Sequence, residues 1–233
     1  MFVMLVRSHL FRQLSVLWVT VWLTSPLLAQ EDWPRFLGST YDGVVAKVSP
    51  SIDWTVKPKF LWAVRVGEGY GMGTVADDSY FQFDADPDGR SERLRRIDLS
   101  TGETQWTQPL FEEFGEVDNE RGTASSPAQN REHVFLVIDH GGPSYVVALR
   151  KSDGAVAWKT DRGNRVPSWS SPVVVSHENG DLVVISSSDT VDAYDAATGK
   201  PVWQIDGLSG NHIPSATISG NSIYVGSTEM FNQ

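Results

Sequence analysis

The sequence predicts an all-β fold, a β-propeller of four-stranded antiparallel blades with three complete blades and part of a fourth. Three observations predict it. A glycine and a tryptophan recur four residues apart, at Gly102/Trp106, Gly154/Trp158 and Gly199/Trp203, with spacings of 52 and 45 residues. A second marker keeps the same beat: Gly73, Pro127, Pro172 and Ala216 each open a pair of apolar runs and are separated by 54, 45 and 44 residues. Beyond residue 29, short segments rich in Val, Ile, Tyr and Trp alternate with turn residues, and no useful length shows a helical period.

The elements follow in chain order. Residues 1–29 carry Arg7 and Arg12, then the apolar run LSVLWVTVWLT (14–24), then LLAQ (27–30). A basic start, a short apolar stretch and a small residue at the cut describe a secretory signal peptide ending at Ala29. The run is short for a membrane span, which takes about 20 residues. After removal of this segment no span is expected, and the chain is placed in the periplasm or outside the cell. Losing two arginines and no acid moves the formal charge from −10 to −12. That surface disfavours nucleic acid, which is held through phosphate neutralisation, and anionic lipid. Aromatic residues make up 11% and charged residues 21%, a mixture unlike that of disordered chains. There is no Cys, so neither a disulfide, a thiolate nucleophile nor the lipidation site of a bacterial lipoprotein is available.

Residues 30–59 form an N-terminal segment, and the repeats occupy 60–233. FLWAVRV (60–66), with Trp62, reads as a fourth strand with no unit before it. Units then end at Trp106, Trp158 and Trp203. In the third unit the strands are expected at 172–176, 182–187, 190–195 and 201–205. The turn between its last two strands reads D-x-x-T-G: Asp195 hydrogen-bonds the backbone ahead of it, and Gly199 takes a positive φ without steric cost. Four residues on, Trp203 lies on a strand, where an indole packs between neighbouring sheets and buries about 150–250 Å². Two more strands follow before EMFNQ. This count reads as a piece of a larger propeller, with a closed four-bladed ring as the alternative.

At this point the residues resemble a family. RIDLSTGETQW (96–106) and AYDAATGKPVW (193–203), with the preceding Ser-Ser-Pro strands, are similar to the pyrroloquinoline quinone (PQQ) repeat. ALRKSDGAVAW (148–158) departs from it, with Arg150 for Asp and Asp153 for Thr. DWPRFLGSTYDGV (32–44) resembles the DWPxFRGPxxDGV opening of secreted, planctomycete-type PQQ-like propellers, with Leu37 for Arg and Ser39 for Pro. The resemblance spans residues 32–233 and is specific for fold rather than activity. It implies an exported binding or scaffold module for an unidentified protein or small molecule, similar to the propeller that assists outer-membrane β-barrel assembly. No catalytic site is evident. The alternative it implies is a fragment of a PQQ-dependent quinoprotein dehydrogenase. Those enzymes use PQQ and Ca²⁺ on a full ring of about eight blades, and the alcohol-oxidising type places adjacent cysteines against the cofactor. With no Cys and under half the blades, neither PQQ nor Ca²⁺ is expected here.

Two further places merit a reading. Asp84, Asp86 and Asp88, followed by Gly89, open like a Ca²⁺ loop, but its twelfth position is Arg95 rather than a bidentate Glu, so a solvated hairpin tip is expected. Residues just before each first strand, Tyr70, Ala124, Trp169 and Ile213, with Arg165 and His212 nearby, should ring the central channel; their dissimilarity implies no shared ligand. His133, His140, His177 and His212 lack metal-ligand spacing, and no nucleotide-binding glycine loop or nucleophile elbow occurs.

Overall fold

The structure is a computed structural model that describes residues 32–45, 53, 55–57, 59–85, 91–117, 122, 124–209 and 213–227. Three four-stranded sheets are built in strict sequence order, each an antiparallel meander. The first contains β1 (Thr74–Ala76), β2 (Ser79–Ala85), β3 (Glu92–Asp98) and β4 (Thr104–Pro109). The second contains β5 (Ala128–Gln129), β6 (His133–Ile138), β7 (Pro143–Arg150) and β8 (Val156–Asn164). The third contains β9 (Val173–Val175), β10 (Leu182–Ser186), β11 (Thr190–Asp195) and β12 (Pro201–Asp206), within a residue or two of the expected limits. A fourth unit contributes two strands, β13 (Thr217–Ser219) and β14 (Ser222–Tyr224).

Each complete unit carries a register shift between its third and fourth strands at the same place, Arg96/Ile97, Ala148/Leu149 and Ala193/Tyr194, and unit 2 has a second at Ser144/Tyr145. The residue before the shared shift pairs with the repeat tryptophan, Arg96 with Trp106, Ala148 with Trp158 and Ala193 with Trp203. An added residue in one strand increases the local twist, so the recurrent turn and the recurrent tryptophan are two ends of one backbone device.

Strand pleating divides side chains between two faces, and each face meets a neighbouring unit. Phe81, Phe83, Leu94 and Leu110 of unit 1 pack on Val134, Leu136, Ile138, Val147 and Leu149 of unit 2. Ala128, Phe135, Val137, Val146 and Ala148 of unit 2 pack on Val174, Val183, Ile185, Tyr194 and Ala196 of unit 3. Val173, Val184, Val191 and Ala193 of unit 3 face Ala216, Ile218 and Ile223 of the partial unit.

One sequence expectation needs correction. Residues 60–66 have no ladder partner and are not a strand, because among the described residues no third strand lies beside them. A five-residue helix, α1 (Leu110–Phe114), follows β4; Leu110 anchors it in the core, and Glu112 and Glu113 lie in its first turn, where acids complement the helix dipole. Five residues are too few to show a helical period in the sequence.

The N-terminal segment crosses the inner strands of three units. Trp33 exchanges both backbone hydrogen bonds with Val75 (2.8 and 2.9 Å), the amide of Gln129 donates to Pro34 O (2.9 Å), and Tyr41 Oη donates to Val174 O (3.3 Å). The Arg35 guanidinium sits 4.5 Å from the centre of the Tyr41 ring. Residues 1–29, which hold the expected signal peptide, lie outside the described residues.

Candidate functional site

The surface with chemical consequence is the face each unit offers the next. Its first component is the tryptophan ladder. The indole N–H of Trp62 donates to Leu99 O (2.8 Å), that of Trp106 to Lys151 O (3.0 Å) and that of Trp158 to Ala196 O (3.0 Å). Each acceptor lies three residues before a turn glycine: Gly102, Gly154 and Gly199. These glycines sit at φ +76°, +76° and +71°. A Cβ on Gly102 or Gly154 would lie 2.7 Å from the Trp62 or Trp106 ring, and one on Gly199 would overlap Trp158. Glycine is therefore required twice at one position, by the left-handed backbone and by the indole lying on it.

The aspartates shape the same turns. Asp98 Oδ1 accepts from the amides of Ser100 and Thr101 (both 2.9 Å), and Asp195 Oδ1 accepts from the amide (2.8 Å) and hydroxyl (2.6 Å) of Thr198. The departing turn reaches the same end differently: Arg150 pairs with Asp153 (2.8 Å), whose Oδ1 accepts from the Ala155 amide (3.0 Å). All three carboxyls are held below the ordinary Asp range, by the Ser100 hydroxyl at Asp98, by Arg150 at Asp153 and by the Thr198 hydroxyl at Asp195. A depressed folded-state value adds stability above the unfolded value, about 3.9, and loses it as pH falls through the folded value. The melting temperature is therefore expected to hold between neutral pH and about pH 5 and to fall toward pH 3. Asp98→Asn/Asp195→Asn should flatten that fall, and an unchanged profile in a calorimetric pH series would remove the turns as its source.

A second component, unread in the sequence, explains the Ser-Ser-Pro marker. Met72 N donates to Ser126 Oγ (2.9 Å), Ser126 N to Ser171 Oγ (2.9 Å) and Ser171 N to Ser215 Oγ (2.8 Å). Each hydroxyl thus satisfies the matching backbone amide of the preceding unit, so inner strands are stapled in series. The recurrence of serine just before the marker residue was the available signal.

A third component is a buried ion layer between units 2 and 3. Arg162 is fully buried and bonds Asp139 at 2.8 and 3.1 Å, Asp192 at 3.1 Å and Tyr194 Oη at 2.7 Å, together with Ser187. Ser187 Oγ also donates to Asp139 (2.6 Å), and Arg165 reaches Thr190 Oγ1 (2.8 Å). Burial opposes the charge on Arg162, but Asp139, then Tyr194 and Asp192, outweigh it and raise its pKa. Counting from the repeat tryptophan, Arg162 stands where unit 1 has Leu110. Ladder register aligns Asp139 with Ala85, Ser187 with Ile138, Asp192 with Val147 and Tyr194 with Leu149. One interface layer is apolar and the next is ionic, exchanged as a set.

The fourth component is the open end. Trp203 packs beside Ile218 and Ile223, yet no carbonyl meets its indole N–H among the described residues. Among the described residues β14 has β13 as its one ladder neighbour. A groove of about 720 Å³ runs there, lined by Trp203, Val202, Leu182, Val184, Ile218 and Ile223. Val202 in its lining is exposed, as are Ile205 of β12 and Tyr224 of β14.

The remaining sequence candidates fall elsewhere. Asp84 is buried, and its carboxylate takes Arg95 at 2.9 Å, Arg93 at 3.3 Å and the Gly67 amide at 2.8 Å. Any cation would have to displace two guanidinium groups from it. Asp86, Asp88 and His212 lie outside the described residues. Tyr70 and Ile213 are exposed and Ala124 and Trp169 half-buried, with no hydrogen bond joining them. His133 stacks on Phe135, His140 accepts from the Gly142 amide at 3.1 Å, and His177 from the Asn179 amide at 3.3 Å.

A family model described as outer membrane protein assembly factor BamB matches residues 42–212 and, again, 142–230. The chain belongs to this PQQ-like propeller family. Among solved structures, quinohemoprotein alcohol dehydrogenase from Comamonas testosteroni aligns at TM-score 0.53 and 17% identity, over 76% of this chain and 27% of that one. BamB from Moraxella catarrhalis aligns at TM-score 0.42 and 17% identity, over 67% and 41%, and a europium-containing methanol dehydrogenase at 0.46 and 19%, over 61% and 25%. The PQQ-like chain thus spans about a quarter to two-fifths of these structures. No curated protein matches it. The chain has no cysteine, and no three His, Asp or Glu side chains gather as metal ligands among the described residues.

Proposed function

We propose that this PQQ-like chain is an exported binding module that receives a protein partner by strand addition at its open fourth unit. One observation carries the reading. Trp62, Trp106 and Trp158 each cover a turn glycine and donate to the carbonyl three residues before it, whereas Trp203 presents the same indole to an open groove. The partner is then a β-hairpin whose first strand pairs with β14 and whose glycine turn meets Trp203. Main-chain hydrogen bonds supply affinity in such pairing, and side-chain pockets supply specificity. The apolar Val202, Leu182, Ile218 and Ile223 that line the groove favour a partner with alternating apolar residues. In support of export, Arg7 and Arg12 precede the apolar run 14–24; no helix among the described residues is long and apolar enough to cross a membrane.

A peptide copying residues 190–206, which carries the D-x-x-T-G turn, is a direct probe. Calorimetric titration should show saturable binding that Trp203→Ala in the protein, or the change corresponding to Gly199→Val in the peptide, weakens about tenfold or more. Equal binding of both peptides, or none of either, would remove the proposed docking mode. A second reading, as part of a PQQ-dependent dehydrogenase, draws on the fold shared with the Comamonas enzyme. Quinone absorbance retained after incubation with PQQ and Ca²⁺ and gel filtration would favour it.

A further inference from the structure

At the turn end of the molecule, units 1 and 2 enclose a cleft of about 440 Å³ lined by Asp77, Arg96, Arg131, Glu132, Arg150 and Lys151. Four cations meet there in a chain of net charge −10. The repeats show that the fold does not ask for them. Matching turn hydrogen bonds, Leu99 N to Asp78 O, Lys151 N to Glu132 O and Ala196 N to Asp181 O, set the three units in register. Arg131 then aligns with Asp77 and Gly180, Arg150 with Asp98 and Asp195, and Lys151 with Leu99 and Ala196. Ladder register aligns Arg96 with Ala148 and Ala193. At the junction between units 2 and 3 the positions of the four cations are held by Ala148, Gly180, Asp195 and Ala196, none of them cationic, and the position of Asp77 by Arg131. Arg150, one of the residues by which ALRKSDGAVAW departs from the repeat pattern, and its neighbour Lys151 supply two of the four cations, and Arg96 and Arg131 supply the others.

Not every charge there is free. Lys151 Nζ pairs with Asp77 (2.6 Å) and also reaches Asn130 O (3.3 Å); Arg150 pairs with Asp153 (2.8 Å). Arg96 spends Nε on Ser79 Oγ (2.9 Å) and Nη1 on Lys151 O (3.1 Å), which fixes its guanidinium and leaves Nη2 open. Arg131 is exposed and has no hydrogen bond or ion pair among the described residues. Glu132 also lines the cleft, so four cations stand against the carboxylates of Asp77, Glu132 and Asp153. The excess is concentrated on a fixed guanidinium and a free one.

We propose that this cleft binds an oxyanion group (carboxylate, phosphate or sulfate) of a small ligand, held between Arg131 and the open Nη2 of Arg96. Guanidinium is planar, always charged and suited to two-oxygen contacts with such groups. A concave surface with an excess of one charge sign raises the local concentration of the opposite ion even when the whole protein repels it. The cleft lies at the unit 1–unit 2 junction and shares no residue with the open groove beside Trp203, so either proposal can fail without the other.

Titration calorimetry of the full chain at low ionic strength, with inorganic phosphate, sulfate and citrate as separate probes, tests this. At least one probe should bind saturably at one site; preference for citrate assigns a carboxylate ligand, and preference for phosphate or sulfate an ester. Arg131→Glu should weaken that binding about tenfold or more, because it removes a charge-assisted contact and adds a repulsive one. Arg65→Glu, the same charge change at an exposed residue outside the cleft, should leave it within about twofold. No saturable binding by any probe would overturn the proposal. Equal losses from the two substitutions would also overturn it, by showing response to net charge alone. A shared melting temperature for the variants confirms that neither is misfolded.

Discussion

Trp158→Ala is expected to lower stability by about 3 kcal/mol, toward the low end for an aromatic truncation because the ring is half-buried. The substitution removes three things together. It strips the ring from Phe135, 5.9 Å away between centroids, and loses the hydrogen bond to Ala196 O. It also uncovers Gly199, leaving the unit 3 turn without its cover. Trp203→Ala, which removes the same side chain from a place with no receiving turn, should cost clearly less. Urea denaturation reads both as shifts in midpoint at similar slope. Equal costs for the two would show that the tryptophans stabilise as isolated apolar groups and that the ladder contact adds nothing.

Arg162→Leu is expected to cost about 3–5 kcal/mol, because Asp139 and Asp192 stay buried with their principal counter-charge gone. The cost does not measure the value of the ion layer. Bringing the whole layer to the chemistry of the preceding interface, by Asp139→Ala, Arg162→Leu, Ser187→Ile, Asp192→Val and Tyr194→Leu, should restore the wild-type midpoint or exceed it. Well-packed apolar replacements of buried ion pairs are often neutral or stabilising. If the five-fold variant melts as low as Arg162→Leu alone, the two interface layers are not interchangeable and the unit alignment behind them is wrong. Full recovery would instead point to the ion layer as a marker of neighbour identity, since Arg162 facing an apolar layer, or Leu110 facing Asp192, leaves charge unpaired in the core.

The repeat frame was legible because it is written in residues that act locally. Gly102, Gly154 and Gly199 stand where the chain must turn with positive φ, and Asp98 and Asp195 bond amides two or three residues ahead. Such features survive as fixed spacings, so strands, turns and the number of complete units followed from the sequence. Residues 60–66 show the limit of that logic: their composition suits a strand, but a strand exists only when another lies beside it, and none does among the described residues. α1 was hidden for the opposite reason, being set by one buried leucine and the geometry after β4 rather than by a period.

What the linear chain determined by itself is therefore the unit: four strands, one glycine turn and one tryptophan. What only the tertiary structure decided is which unit receives each of these groups. Trp158 belongs to unit 2 in sequence and to the unit 3 turn in space, and Ser171 serves the amide of Ser126, 45 residues earlier. The Arg162 layer and the cationic cleft likewise join side chains whose separations follow no motif. Turn geometry is set by neighbours along the chain, whereas pairing across an interface depends on distance in space. For that reason the repeat could be read from the sequence, and the open groove and the charged cleft could not.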